Sequence, residues 1–463
     1  MSRPWWTLVG ACCGLFLLML DSTVVALALP SIRHDVGASA EGLQWMMNGY
    51  LLAITALVVT AGRLGDQFGR KRLFLVGMVL FALGSVLSGA AGGQSTLILG
   101  RLLQGAGAAP MLPLSLAIVC NVFPADQRAR ALGIWAAISA IGLGIGPLAG
   151  GALVDLDWRL IFWMNLPISL LGTAIVWIAA PESTDPGSAR RIDLPGLMTL
   201  AVGLTAIVLA LVQARAWSGA AIAVLAVLAV ASLYAFWRIE HRVADPIVDF
   251  ALFRNRPYFG ASAAAFCLVG AYWAVMFFQP QYLQDVRGHS AVLSGLMILP
   301  ITAPMIFVSP FSGRLIARFG SRRLMTAGMA LGALGLLALT QIGPHSSYAL
   351  LLAGYLPFGI ALGLVYAPMS TAAMAAMPAE KVGIASGVLA MDRVMAGTIA
   401  LAVVGAVFHA LLGGDGFAGA VGGSTWVLVG LVAVGAVLTW TFVRDASRSI
   451  PEPHARQRHF HLH

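Results

Sequence analysis

Four ionisable residues stand inside apolar runs where a charge is expensive: Asp21 in "LLMLDSTVV", Arg101 in "LILGRLLQG", and the neighbours Asp392 and Arg393 in "VLAMDRVMAG". At the centre of a bilayer a charge costs about 2.5–3.5 kcal/mol even on the lenient insertion scale. Such a carboxylate needs a cavity, a partner or a proton. Asp21 is the candidate proton carrier; the alternatives are a structural ion pair or a helix-bending hydrogen bond. Arg101 is the candidate for control of that proton, because a neighbouring positive charge favours the carboxylate form. Gln104, Gly105 and Ala108 follow Arg101 at three, four and seven residues and share its helical face. Asp392 and Arg393 project about 100° apart on a helix and need not pair; for each, a cavity-facing role and an interhelical brace stay open.

A second concentration of charge is the stretch "GRLGDQFGRKR" at 62–72. Gly62, Gly65 and Gly69 suit a sharp turn, and Asp66 is suited to accept from exposed N–H groups at a helix start, where the helix dipole favours an anion. Arg63, Arg70, Lys71 and Arg72 serve topology, a gate, or both. In "GLGIGPLAGGAL" (142–153), Gly142, Gly146 and Gly150 recur every fourth residue and share one face, with Pro147 and Gly151 beside it. Glycine at that spacing lets two helices approach closely in a membrane. Trp45, Tyr50, Tyr272, Trp273 and Phe277, with Asn48 and Gln104, are candidates to line a cavity for a flat lipophilic ligand. Packing or interfacial anchoring is the alternative for the aromatic residues.

These residues need membrane helices to hold them. Charged residues make up 10% of the chain and hydrophobic ones 59%, where a soluble domain would carry about a quarter charged. About 20 apolar residues cross the hydrocarbon layer as a helix. The chain divides into fourteen such runs, near 7–30, 43–62, 73–93, 97–120, 131–153, 160–180, 194–213, 219–237, 258–279, 292–312, 324–342, 348–368, 384–411 and 424–443. The first is read as a span rather than a signal peptide, since Asp21 interrupts it and no cleavage site follows. Loops on the side of the termini hold 22 Arg and Lys against four on the other side, which places both termini in the cytoplasm.

Several function classes fall away. The net charge of +9 is spread between apolar runs, so no basic domain for nucleic acid exists. Cys12, Cys13, Cys120 and Cys267 all lie in apolar runs without ligand spacing, so neither a metal site nor a disulfide framework is expected. Lys71 and Lys381 are the only lysines, and neither sits in a phosphate-loop frame. Energy must come from an ion gradient or the substrate's own, with no cofactor. The buried ionisable groups, His409 included, are scattered over spans 1, 4 and 13 rather than clustered as an enzyme would require.

The chain also repeats itself. "GRLGDQFGRKR" matches "GRLIARFGSRR" (313–323) at an offset of 251, and Gly100, Gly105, Pro124, Ala125, Ala131 and Gly133 match Gly354, Gly359, Pro378, Ala379, Ala385 and Gly387 at 254. The expected fold is therefore an all-α membrane protein of 14 transmembrane helices. Two six-helix pseudo-repeat halves (1–182 and 252–445) flank a linker with an inserted central helix pair (183–251), and 446–463 is a disordered tail. Repeated halves place a substrate site near the midplane where they meet. The inserted pair reads as a peripheral hairpin.

Together these motifs resemble the major facilitator superfamily. The 62–72 stretch is similar to its signature loop, "RLLQGAGAAP" (101–110) to its span-4 motif and 142–153 to its antiporter-associated span-5 motif. "LDSTVVALALP", "WRLIFWMNLPI" and "YLQDVRGHSAVLSGLMILP" are similar to the fourteen-span drug:proton antiporter family. Ala26 stands where that family usually has Asn, and "LAMDRVMAG" replaces a more polar run. The resemblance implies that the 62–72 loop braces the halves on the cytoplasmic side in the outward-facing state, with Asp66 against span 13 and Arg70 in a charge relay, and that the span-5 glycines form a cytoplasmic seam against span 10. The expected activity is proton-coupled export of hydrophobic or amphipathic small molecules across the plasma membrane, with protons and membrane lipid as further partners. A dedicated exporter of an endogenous metabolite or self-made antibiotic and a nutrient importer are the alternatives. The use of 26 Arg against 2 Lys hints at a GC-rich genome.

Overall fold

The computed structural model describes residues 2–184, 193–214, 216–243, 246–308, 311–378 and 382–443. The tail at 446–463 and Lys381 lie outside the described residues. Every element within them is helical: α1 (Arg3–Val36), α2 (Ala40–Phe68), α3 (Arg70–Gly89), α4 (Gln94–Val122), α5 (Ala125–Val154), α6 (Leu160–Trp163), α7 (Asn165–Ala179), α8 (Leu194–Val212), α9 (Gly219–Glu240), α10 (Arg256–Gln281), α11 (Ala291–Val308), α12 (Ser312–Phe319), α13 (Ser321–Leu339), α14 (Tyr348–Ala375) and α15 (Val382–Phe442). Fourteen segments among the described residues are long and apolar enough to span a membrane. In hydrocarbon the backbone must satisfy its own hydrogen bonds, which helices do.

Three boundaries differ from the sequence reading. The first helix continues through Pro30 to Val36. Spans 13 and 14, Ala385–Gly414 and Gly416–Phe442 within α15, follow each other almost without a loop, the chain kinking at Gly416, whose φ of 65° departs from the helix. And 62–72 is barely a loop. Gly62 and Gly65 sit within α2, against Pro113 and Leu114 of α4, and Gly69 alone separates α2 from α3 with φ 115°. That backbone region is open to glycine and strained for other residues. The repeat recurs here in geometry: Gly320 separates α12 from α13 with φ 83°. Its N–H reaches Ile316 O at 2.8 Å, as that of Gly69 reaches Gly65 O at 3.0 Å.

Let the face where α1 begins be proximal and the opposite face distal. α1 packs on α4, α5 and α7, while α2 and α3 both pack on α4. In the second set α10 packs on α15 and α14, and α13 on both. The two sets meet through α5 with α11, α2 with α15, and α1 with α10. The inserted pair packs on itself and, through α8, on α2 and α15. α9 leaves Val224, Val227, Val230 and Tyr234 exposed, as a lipid-facing helix would.

The named contacts between the sets fall toward the distal ends of their helices. Asp155, just past α5, accepts from the first N–H groups of α11, Ala291 at 2.9 Å and Val292 at 3.4 Å. Helix starts leave such donors unsatisfied, so one set supplies the cap for the other. Gln284, in the π-helical turn Tyr282–Val286, donates to Leu27 O at 3.0 Å, and Gln44 Nε2 lies 3.4 Å from His409 Nδ1. A cleft of about 500 Å³ opens beside them, lined by Pro30, His34, Asp35, Gln284 and Asp285.

Candidate functional site

The close approach of α3 and α4 creates the site's framework. A Cβ on Gly84 would stand 2.6 Å from Gln104 N and 2.8 Å from Gly100 O, so only glycine permits this separation. The neighbouring Ser85 is thereby brought onto Gln104. Gly105 does the same for α2, where a Cβ would meet Ala53 Cβ at 2.8 Å.

Inside this frame Asp21 and Arg101 pair, each 1% exposed, with Arg101 Nη1 donating to Asp21 Oδ2 at 2.5 Å. The other carboxylate oxygen accepts from Gln104 Nε2 and from Asn165 Nδ2, both at 3.3 Å. Ser85 Oγ accepts from the same two amides, at 2.8 and 3.2 Å. Arg101 also donates to Gln104 Oε1 at 2.8 Å and to Met46 O at 3.3 Å, and its guanidinium lies 4.1 Å from the Tyr50 ring centre. Five helices, α1, α2, α3, α4 and α7, thus close on one buried carboxylate. Among the described residues Arg101 Nη2, Tyr50 Oη and Asn165 Oδ1 have no hydrogen-bond partner, which leaves the network donors and an acceptor with which to rearrange.

The structure joins Asp21, Arg101, Gln104 and Tyr50 and adds Asn165 and Ser85, which the sequence reading did not single out. A lone Asn or Ser in an apolar run has no periodic signal; only the cost of burying an amide pointed to Asn165.

The second set differs. Asp392 Oδ2 accepts from Ser262 Oγ of α10 at 2.8 Å, while Arg393 turns to Ser370 Oγ of α14 and lies 4.8 Å from the Tyr366 ring. Asp392 and Arg393 do not pair with each other, in agreement with their 100° separation.

Of the aromatic candidates, Tyr272 and Trp273 meet edge-on with ring centres 6.1 Å apart. Trp45 packs beside Val208, Val212 and Ala402, under the inserted pair. Trp273 fills the space over Gly397, and Phe277 stacks edge-on with Phe278 in a row that continues to Phe408 and Phe417. Tyr272 and Asn48 are buried, and the amide of Asn48 has no hydrogen-bond partner among the described residues.

At the proximal turn Asp66 Oδ1 accepts from Arg70 Nε at 2.7 Å. The N–H groups at the start of α3 go instead to Glu182, from Lys71 at 3.0 Å and Arg72 at 3.2 Å. The expected helix-start acceptor is therefore Glu182, because Asp66 lies a turn back inside α2. Lys71 Nζ donates to Trp177 O at 2.7 Å, and Arg63 donates to Pro246 O. No partner of Asp66 named here comes from span 13.

The span-5 motif divides between two partners. Gly142, Gly146 and Gly150 face α1, where a Cβ would meet Met19, Thr23 and Val24 respectively. Gly151 meets Ala291 and Val292, and Gly295 of α11 sits against Pro147 O. So the three-glycine face packs within its own set, and the contact with span 10 is made by Gly144, against Ile306, and by Pro147 and Gly151. That contact runs from the distal end of α5, at Gly151, to Gly144, which lies against Ile306 near the other end of α11.

Among the described residues no group of three or more His, Cys, Asp or Glu side chains is placed to hold a metal ion.

Residues 11–401 match the model of the Major Facilitator Superfamily. The chain is 38% identical over 410 residues to the multidrug resistance protein Stp of Mycobacterium tuberculosis, covering 88% of this chain and 76% of that protein. It is 33% identical to the puromycin resistance protein pur8 of Streptomyces alboniger, covering 97% and 93%, and 32% identical to the tetracenomycin C resistance and export protein of Streptomyces glaucescens, covering 89% and 77%. Among solved structures, a bacterial homologue of the human lysosomal transporter Spinster, inward-facing and unoccupied, superposes with a TM-score of 0.70 at 17% identity, covering 96% of this chain and 97% of that one. A likeness at that identity speaks for the fold alone. With the repeated glycine breaks, the fourteen spans and the buried carboxylate in view, the chain belongs to the major facilitator superfamily, among its multidrug-exporter-like members, and is a membrane transporter rather than an enzyme.

Proposed function

We propose that this transporter exports hydrophobic or amphipathic small molecules across the plasma membrane in exchange for protons, by alternating access between two six-helix halves, 1–182 and 252–445. The observation that carries the proton step is Asp21, held by Arg101, Gln104 and Asn165 inside the first half. A proton arriving on Asp21 removes its charge and weakens its hold on Arg101. The freed guanidinium then reorganises with Gln104 and Tyr50, and the helices that supply them shift. The names of the relatives, multidrug and antibiotic resistance proteins, support lipophilic cargo. Two of them are named for single compounds, which favours a narrow cargo range as the second reading.

In this conformation the halves meet distally. We assign it as open toward the cytoplasm, with both termini on that side. The 62–72 turn is then disengaged, its charges satisfied by Glu182, Trp177 and Pro246, and it braces the halves only when the proximal side closes. The test is efflux of a lipophilic cationic dye and of puromycin from a pump-deficient host, comparing wild type, wild type with a protonophore, and Asp21→Asn at equal membrane abundance. Export abolished by both treatments is the expected result. Proton-coupled export that survives Asp21→Asn would sink the assignment.

A further inference from the structure

The inserted helix pair carries its own carboxylate chemistry at its proximal end. Asp193 caps α8, its Oδ1 accepting from Gly196 N at 2.8 Å, and Glu240 ends α9, its Oε2 accepting from Val248 N at 2.7 Å. Both are buried, at 8% and 4% exposure. The two carboxyl groups approach each other at the start of α8, where both lie against Gly196. Yet Asp193 Oδ2 and Glu240 Oε1, the remaining oxygens, have no donor among the described residues. Both oxygens border Gly196, where a Cβ would collide with Asp193 Oδ2 and come within 2.8 Å of Glu240 Oε1. The helix start is shaped around them.

Ionised carboxylates only accept hydrogen bonds. Two of them buried face to face repel, and one proton between them relieves the repulsion and supplies the missing donor. The charged group facing the pair from α2 is Arg63, within electrostatic reach of Glu240 and bonded to Pro246 O, two residues before the Val248 that Glu240 holds. Arg63 belongs to the 62–72 turn.

We propose that Asp193 and Glu240 share one proton, making the inserted pair a second proton-binding site that clasps the 246–248 strap and, through it, Arg63 of the proximal turn. With the proton bound, the ends of α8 and α9 stay together and Glu240 keeps Val248. When the proton leaves at alkaline pH, the carboxylates repel and separate, and Glu240, whose charged form accepts from Val248 N–H more strongly, carries the strap with it from beneath Arg63. The pair is thus a pH-responsive tie between the inserted helices and the proximal turn, independent of Asp21.

Infrared spectroscopy of the purified full chain in lipid tests the proton. Wild type at neutral pH is expected to show a protonated-carboxyl band that disappears in Glu240→Gln and equally in Asp193→Asn, which retains the helix cap because Asn caps as well as Asp. Spin labels on cysteines replacing Phe68 and Arg238, in a background without native cysteines, test the clasp. Their separation is expected to widen at alkaline pH in wild type and to stay constant in Glu240→Gln, whose amide donates to Asp193 at every pH. A band unchanged in both variants overturns the shared proton. A band lost without any pH-dependent widening overturns the clasp. No band together with a sodium-dependent separation means that a metal cation occupies the pair, and the proposal fails. None of these readouts depends on transport, so failure of the export assignment would leave them intact.

Discussion

The two halves treat a buried aspartate differently. Asp21 is closed in by Arg101, Gln104 and Asn165, while Asp392 is held by one serine hydroxyl as its neighbouring arginine turns away to Ser370. Both proximal turns break at a single glycine, and α3 begins on the Glu182 carboxylate. A repeat that preserves the backbone has let the partners of its buried charges differ. The expected result is that a change of charge moves more helices at the carboxylate with many partners than at the one held by a single hydroxyl.

The sharpest way to break this comparison is to remove the arginines in turn. Arg101→Met leaves a buried carboxylate without its ion and is expected to cost about 3–5 kcal/mol, read as a fall in thermal stability, with export lost. Arg393→Met should cost less, about 1.5–3 kcal/mol for its charged hydrogen bond, and equal losses would erase the distinction. Next come the small partners. Ser85→Ala strips an acceptor shared by two amides and should cost about 1–3 kcal/mol, whereas Ser262→Ala, which leaves Asp392 with less contact, should perturb export more than stability if Asp392 is the freer group. Glu182→Gln is the mildest: removing the charge at the start of α3 should cost about 0.3–1 kcal/mol. Thermal unfolding of the purified variants ranks all of these on one scale.

Much of this was legible beforehand. The fourteen spans follow from apolar run length, and the Asp21–Arg101 encounter from the cost of leaving either charge alone. Other features were hidden for definite reasons. Gly65 carries the composition of a turn but serves helix packing against Leu114 of α4, because glycine signals closeness as well as bending. The period of Gly142, Gly146 and Gly150 identifies a packing face without naming its partner, which is α1. Glu182 lies 110 residues from the N–H of Arg72 that it caps, and no local pattern links them.

The cap that Asp155 gives to α11 has a consequence for how this protein can vary. One side of that bond is a carboxylate and the other is main chain. Substitution of Ala291 or Val292 by any residue but proline leaves the donors in place, so the bond can be tuned only from position 155. This link of the distal closure is therefore under the control of very few codons, and a lineage that needs to retune it has a small mutational target there.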